Sequence, residues 1–129
     1  MNKKDIGDIG ERAAARFLKK QGYKVLGRNL HLSHNELDIV ALNKKEKILA
    51  FVEVKARSVD DELYSSFGSP ASAVNKGKRE RTVRAARAFL SANPKYGAYQ
   101  PRLDVVEVYL HKADLSVLKI NHIENAFGV

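Results

Sequence analysis

The sequence predicts an α/β domain in which helices flank a mixed sheet of five strands, in the order α-β-β-β-α-β-β. Two amphipathic segments have helical spacing, and short apolar runs between and after them are typical of strands. Helices that lead into and separate strands in this way pack on the faces of a sheet. The length of 129 residues suits one domain with its own core, covering residues 1–129.

The first half of the chain is predicted to form one helix and three strands. Apolar residues recur at helical spacing and Gly22 is a natural terminator, so the first helix covers residues 5–21. Asn35 tolerates a left-handed backbone, which places a turn at residues 33–35. Apolar runs predict strands over residues 23–32, 36–42 and 48–56, the last two joined by a polar turn at 43–47.

The second half is predicted to begin with a loop over residues 58–69. Ser69 and Pro70 have the residue types of a helix start, and the second helix continues to about residue 92 with a break near Gly77. The last two strands are predicted over residues 103–110 and 115–123, with a turn at 111–114 between them.

Composition favours a protein that meets a polyanion inside the cell. The formal net charge is +8, from 23 Lys and Arg against 15 Asp and Glu, which favours nucleic acid, with an acidic membrane surface or ribosomal RNA as alternatives. Many intracellular domains are also simply basic. No cysteine, secretory signal or run of about 18 apolar residues occurs, which indicates a cytoplasmic protein without a membrane span.

The strongest candidate site combines Asp38 with Glu53 and Lys55. Side chains two residues apart in a strand share one face, so Glu53 and Lys55 project together, on the same face as the apolar Phe51. If residues 45–46 form the centre of the preceding turn, Asp38 lies directly opposite Glu53 in an antiparallel pair. An ordinary exposed ion pair is the alternative explanation for Glu53 and Lys55.

Two opposed carboxylates point to a divalent cation. They repel each other unless a cation joins them, and Mg²⁺ takes one or two carboxylates together with waters and phosphate oxygens. Lys55 would orient the attacking water through its ammonium group or, as the neutral amine, accept a proton from it. Glu11 lies at the edge of the apolar stripe of the first helix and could add a third carboxylate. Its alternative role is to complement the helix dipole.

A basic face of the second helix is the candidate nucleic-acid contact. Its cations would hold the phosphate backbone, although a solvated face is the commoner role for such a run. The candidate residues are Lys76, Lys78, Arg81 and Arg84.

Other known site patterns are missing from the sequence. The four histidines fit no zinc spacing, and neither a phosphate-binding P-loop nor a dinucleotide fingerprint occurs. Asp104 is expected to form a structural ion pair with Arg102 rather than join the site.

Several stretches carry a family resemblance. In order, the chain contains Gly10-Glu11, Gly22-Tyr23-Lys24-Val25-Leu26, Glu36-Leu37-Asp38-Ile39-Val40-Ala41 and Phe51-Val52-Glu53-Val54-Lys55-Ala56-Arg57. This combination, which extends over nearly the whole chain, resembles the YraN-like uncharacterised bacterial protein family. One departure is Asn35, where that family usually has glycine.

The YraN-like family is in turn similar to the PD-(D/E)xK nucleases, which have a restriction-endonuclease-like fold akin to Holliday-junction resolvases. The resemblance implies that Asp38, Glu53 and Lys55 are catalytic. It also implies that a Mg²⁺ or Mn²⁺ ion is held by Asp38, Glu53, the Val54 carbonyl and Glu11. Resolvase relatives act as dimers, so a homodimer is consistent with it.

The sequence therefore favours a metal-dependent nuclease that hydrolyses nucleic-acid phosphodiesters, with structured or branched DNA in repair or recombination as the expected substrate. A non-catalytic nucleic-acid-binding module of the same fold is the alternative. A protein-interaction domain with structural carboxylates is a third hypothesis.

Overall fold

The computed structural model describes residues 3–32, 34–59 and 76–127 and confirms the predicted α/β architecture. Two helices flank one five-stranded sheet, and a short 3-10 helix, Pro94–Tyr96, follows the second of them. The helices are α1 (Lys3–Lys20) and α2 (Lys76–Ala92). The strands are β1 (Lys24–Leu32), β2 (Asn35–Asn43), β3 (Ile48–Val59), β4 (Gln100–His111) and β5 (Val117–Phe127).

The strands lie side by side in the order of the sequence. β1, β2 and β3 form an antiparallel meander, β3 and β4 are parallel, and β5 returns antiparallel to β4. A parallel neighbour requires a crossover connection, and α2 lies in the crossover from β3 to β4. The sheet is therefore mixed, as predicted.

The end of α1 fixes the direction in which β1 begins. Gly22 has a φ of 95°, which glycine adopts without steric cost. The amide of Gly22 donates to the carbonyl of Lys19, and the amide of Tyr23 donates to that of Leu18. These bonds form a Schellman cap, and Leu18 and Tyr23 are both buried beside it. The predicted terminator role of Gly22 is confirmed.

Each face of the sheet carries a separate hydrophobic core. On one face α1 packs against alternate residues of the central strands, including Ile39, Val52 and Val106. On the other face α2 covers the intervening residues, and Phe51 meets Phe89 edge-on with ring centroids 5.8 Å apart. Because strand side chains alternate, odd-numbered residues of β3 face α2 and even-numbered residues face α1.

The closest approach of α1 to the sheet occurs at Gly10. A methyl group built on Gly10 would lie 2.4 Å from the Cβ of Ala56, a residue in β3 that has no flexible side chain to move aside. The helix can pass this close only because position 10 has no side chain. The next residue, Glu11, lines the cavity of the candidate site together with residues of β2 and β3.

Gly10→Ala is expected to destabilise the fold by about 1–3 kcal/mol, because overpacking outweighs the gain in helix propensity. Gly7→Ala is the matched control, since nothing lies within 4 Å of a methyl group there. It should stabilise the protein by about 0.5–1 kcal/mol. Urea unfolding of both variants measures the difference, and destabilisation by the same amount in both would contradict the close-approach argument.

Several predicted boundaries are corrected by the structure. β3 continues to Val59, so the predicted loop does not begin at Ser58; the extra residues pair with β4 as far as His111. The left-handed residue before β2 is His34, with a φ of 65°, and Asn35 already belongs to the strand. The predicted helix start at Ser69 and Pro70 lies outside the described residues.

The remaining strands keep their order but differ in length from the predictions. β4 begins at Gln100 rather than at residue 103, and β5 covers Val117–Phe127 rather than residues 115–123. No helix in the described part of the chain is long and apolar enough to cross a membrane.

Candidate functional site

The register of the β2–β3 hairpin is the one predicted from its turn. Ile39 pairs with Val52, and Asn43 pairs with Ile48 at the turn. Regular pairing stops at the Ile39–Val52 pair. Asp38 and Glu53 are the next residues on each strand, so both carboxylates lie where the two strands begin to separate.

The backbone is irregular around Asp38. Leu37 and Ile39 belong to cores on opposite faces of the sheet, although residues two apart in a regular strand share a face. Opposite Asp38 in β1, Asn29 has a φ of 50°. The Asp38 carboxylate accepts a 2.8 Å hydrogen bond from the amide of Val54 in β3. The predicted face assignment assumed a regular β2, and the structure instead turns Asp38 toward the gap between the strands.

Glu53 is a buried carboxylate with two ammonium neighbours. Its relative exposure is 5%, and its Oε1 lies 3.2 Å from Lys78 Nζ and 3.8 Å from Lys55 Nζ. Burial, reinforced by the negative charge of Asp38, raises the pKa of Glu53 to about 7 despite the opposing effect of both lysines. Glu53 and Lys55 share one face with Phe51, as predicted.

Lys78 joins the site because it lies on the buried stripe of α2. Lys78 lies on the same helical stripe as Thr82, Ala85 and Phe89, which are all buried. The stripe faces the sheet and brings the ammonium onto Glu53. Lys78 therefore contacts Glu53, unlike the exposed cations of α2. The buried Thr82 hydroxyl is satisfied by the carbonyl of Lys78 at 2.9 Å.

Glu11 lies near Asp38, on the side of the sheet that α1 covers. Its Oε1 is 3.2 Å from Nε of Arg28 in β1. Partial burial raises the pKa of Glu11; Arg28 opposes this shift, and Asp38 and Asp8 add to it. Asp38 is thus electrostatically close to both Glu11 and Glu53.

A cavity of about 640 Å³ opens beside these groups. α1 contributes one wall, and β3 beyond Glu53 contributes the other. The lining includes Glu11, Asn29, Asp38, Val54, Lys55 and Arg57. The cavity brings three acidic residues, Asp8, Glu11 and Asp38, and two basic residues, Lys55 and Arg57, to one concave surface.

The oxygen donors present suit a hard divalent cation. Asp38 and Glu53 are the two carboxylates, and Mg²⁺ commonly takes only one or two from the protein and completes its shell with water and phosphate. The ammonium groups of Lys55 and Lys78 lie beside Glu53, so positive charge is favourable at this position. Within residues 3–32, 34–59 and 76–127, no group of three His, Cys, Asp or Glu is arranged to hold a metal. The metal-binding roles of Asp38, Glu53, Glu11 and the Val54 carbonyl remain predictions.

The basic residues of α2 divide into two sets. Arg81 and Arg84 are exposed, as a phosphate-contacting surface requires. Lys78 is partly buried against Glu53. The side chain of Lys76 lies outside the described part of the structure.

A second buried carboxylate, Asp104, forms the structural ion pair that was predicted with Arg102. Its two oxygens accept hydrogen bonds of 2.8 and 2.7 Å from Arg102, and further ones of 2.8 Å from His122 and 2.9 Å from the amide of Asn125. Burial alone would raise the pKa of Asp104, but these bonds together lower it. Arg102 also donates to the hydroxyl of Tyr23 at 2.6 Å.

A third buried carboxylate, Glu107, lies beside Lys55 in the parallel register of β3 and β4. It accepts hydrogen bonds from the hydroxyl of Tyr109 and, at 2.7 Å, from the amide of Asn121. Burial and the adjacent carboxylate raise the pKa of Tyr109 to about 12, so Tyr109 remains a neutral donor. This cluster could not be predicted from the sequence, because its members come from two strands and contain no recognised motif.

Comparison with known sequences identifies the family. The sequence profile described as the uncharacterised protein family UPF0102 matches residues 10–108. A UPF0102 protein of Caldanaerobacter subterraneus subsp. tengcongensis is 41% identical over 127 residues, covering 98% of both chains. A UPF0102 protein of Clostridium acetobutylicum is 42% identical, covering 100% of this chain and 98% of its own. The chain therefore belongs to the family UPF0102, the YraN-like family that its motifs resemble.

Proposed function

We propose that this protein is a divalent-metal-dependent nuclease that hydrolyses nucleic-acid phosphodiesters. The observation that carries the proposal is the convergence of Asp38 and Glu53 at the point where β2 and β3 separate, with Lys55 beside Glu53 and a cavity next to them. A buried carboxylate with a raised pKa beside a second carboxylate is costly as architecture alone and favourable once a cation is bound.

Asp38 and Glu53 would hold the metal, with the Val54 carbonyl and Glu11 as additional oxygen donors. A bound Mg²⁺ or Mn²⁺ would supply Lewis-acid polarisation of the scissile phosphate. The hydrogen bond from the Val54 amide fixes one oxygen of Asp38 and so orients the carboxylate. Lys55 lines the cavity, and it would orient the attacking water and offset the negative charge that develops on phosphate.

Nucleic acid is the proposed substrate because the protein has a net charge of +8 and exposes Arg81 and Arg84 on the helix that begins at the site. These side chains would contact the phosphate backbone and position the scissile phosphate in the cavity. Structured or branched DNA is the proposed form of the substrate, in repair or recombination. We further propose that the protein acts in the cytoplasm, with homodimerisation as an arrangement open to test.

One observation favours a second candidate, a nucleic-acid-binding module without turnover. Each site carboxylate already has a partner within the protein. Glu53 contacts Lys55 and Lys78, Glu11 contacts Arg28, and Asp38 accepts from the Val54 amide. Carboxylates neutralised in this way could serve the fold alone, in which case nucleic acid would bind but not be cut.

A cleavage assay separates the two candidates. Supercoiled, single-stranded and branched DNA, and a structured RNA, are incubated with Mn²⁺ and either wild-type protein or the variants Asp38→Asn and Lys55→Ala. The wild type should cut at least one substrate, and each variant should be slower by at least about 100-fold. Asn at position 38 can still accept the Val54 hydrogen bond, so the fold should persist.

Asp114→Asn is the matched control, because Asp114 is an exposed turn residue away from the cavity. This variant should cut at the wild-type rate. If the wild type cuts no substrate, or both site variants cut as fast as it does, the nuclease proposal fails. Binding by all variants with cleavage by none supports the binding module instead.

A further inference from the structure

A patch of two tyrosines and two lysines lies at the turn end of the β2–β3 hairpin, away from the carboxylates. Its members are Lys47, Lys95, Tyr96 and Tyr99, and we refer to it as the tyrosine–lysine patch. The Nζ of Lys47 lies 5.5 Å from the ring centroid of Tyr99, and the Nζ of Lys95 lies 5.3 Å from that of Tyr96. The two tyrosine rings meet edge-on with centroids 6.1 Å apart.

The patch is anchored to the rest of the fold. Tyr96 stacks on Phe89 of α2 with centroids 6.1 Å apart and an interplanar angle of 14°. The amide of Gln100 donates a 2.8 Å hydrogen bond to the carbonyl of Lys47, which ties the hairpin turn to the segment that carries the tyrosines. Both tyrosines are partly exposed, so the rings are held in place without being removed from solvent.

Positive charge surrounds these rings. Residues 44–47 contain Lys44, Lys45 and Lys47 with Glu46, and all four side chains are exposed, as is Lys95. A lysine over a tyrosine ring is also a common surface contact that needs no ligand. Here the local excess of lysine favours an anionic occupant, and the aromatic faces favour one that carries flat apolar rings.

The patch is connected to the proposed site by a basic path. At about 3.3 Å per residue along the strand direction, Lys47 is roughly 20 Å from Glu53. α2 covers a similar distance from Lys78, beside Glu53, to Phe89, beside Tyr96. Arg81, Arg84 and Arg87 are exposed along the way. A stacked strand rises about 3.4 Å per nucleotide, so the path suits about six nucleotides.

We infer that the tyrosine–lysine patch binds unpaired nucleotides of the substrate, with bases stacked against Tyr96 and Tyr99 and phosphates at Lys47 and Lys95. Single strands are bound by this combination of aromatic platforms and cations, whereas the bases of a duplex are already stacked on each other. The inference rests on the proposed function and narrows its substrate to nucleic acid with a single-stranded segment about 20 Å from the scissile phosphate.

Binding measured without metal tests this inference separately from cleavage. Fluorescence anisotropy in EDTA at fixed salt compares labelled oligo-dT, oligo-U and a duplex of equal length. Tyr99→Leu keeps apolar volume but removes the aromatic ring, and it should weaken binding of one or both single strands by on the order of tenfold while leaving duplex affinity unchanged. Tyr99→Phe keeps the ring and should bind like the wild type.

Lys47→Gln provides a second test at an exposed side chain that lies over the ring of Tyr99, so the core is left intact. It should reduce the slope of log affinity against log salt for single strands by about 0.7, the value for one lost phosphate contact. Folding of every variant is checked by thermal melting. The DNA and RNA arms distinguish the two sources of unpaired bases.

Single-strand affinity that is unchanged in both Tyr99→Leu and Lys47→Gln would overturn the inference, as would an equal loss for duplex and single strands. It would also be overturned if the wild type bound neither single strand. If the wild type binds single strands but cuts no substrate, the nuclease proposal alone fails.

Discussion

Glu53→Gln is expected to abolish metal-dependent cleavage and, at the same time, to make the protein more stable at pH 8. Glutamine has the same shape as glutamate but cannot carry the charge that burial and Asp38 oppose. The folded-state pKa of Glu53 is about 7, above its ordinary value of 4.5. An ionised Glu53 is therefore a cost to the metal-free fold, which glutamine removes.

The pH dependence of this effect has a defined sign. Below pH 4.5 glutamate is protonated in both folded and unfolded chains, so Glu53→Gln and wild type should be about equally stable. Between pH 4.5 and 7 the unfolded chain releases the proton first, and wild-type stability falls relative to the variant. Above pH 7 the difference should level off at roughly 3 kcal/mol. Urea unfolding at pH 4, 6 and 8 measures it.

Glu80→Gln is the matched control for this series, because Glu80 is exposed on α2 and its replacement should change stability little at any pH. A variant at position 53 that is less stable than wild type at pH 8 would show that the contacts with Lys55 and Lys78 outweigh burial. Glu53 would then form an ordinary structural ion pair, and its charge would stabilise the metal-free fold.

Asp104→Ala should give the largest loss of stability, about 3–5 kcal/mol, without a direct effect on the site. Removing one partner of a buried ion pair leaves the other charge without compensation. Asp104 is 0% exposed, and its loss would leave Arg102 and His122 without the carboxylate that both contact. Thermal or urea unfolding at pH 7 measures the effect.

The wild-type contribution of Asp104 has the opposite pH sign to that of Glu53. Its pKa is lowered in the folded state, so its stabilisation is present above the ordinary aspartate range and is lost as the pH falls through the folded-state pKa. Asp114→Ala, at an exposed turn, is the comparison variant and should cost far less. Similar losses in both would contradict the buried-network explanation.

Local patterns were sufficient to predict most of the fold. The helical stripe ending at Gly22 predicted α1 and its cap, and the turn centred on residues 45–46 predicted the β2–β3 register. These features depend on neighbours in sequence, where spacing and turn chemistry operate directly. The pairing of β3 with β4 depends on distant residues, and it extended β3 to Val59 beyond the predicted end.

The candidate site was predictable in composition but only partly in geometry. Alternation placed Glu53 and Lys55 on one face, and the hairpin placed Asp38 near them. The irregularity at Asp38 lies opposite Asn29 of β1, whose φ is 50°, and the local pattern of β2 does not contain that information. The Lys78 contact follows from the buried stripe of α2, because a lysine on that stripe faces the sheet. Its charge alone predicts only an exposed phosphate contact.

His122 shows where isolated motif searching fails. It fits no metal spacing, yet its side chain is only 10% exposed and bonds Asp104 at 2.8 Å. The partner lies on the adjacent strand, so only the β4–β5 pairing brings the two together. Such a contact can be predicted only once the order of the strands in the sheet is known.

Direct titration with Mn²⁺ tests most directly whether Asp38 and Glu53 form a metal site. Isothermal titration calorimetry of wild type, Asp38→Asn, Glu53→Gln and the control Glu80→Gln requires neither nucleic acid nor turnover. Wild type and Glu80→Gln should bind one Mn²⁺ per chain, and the two site variants should bind at least tenfold more weakly. Equal Mn²⁺ affinity in all four proteins, or none in the wild type, would contradict the proposed site.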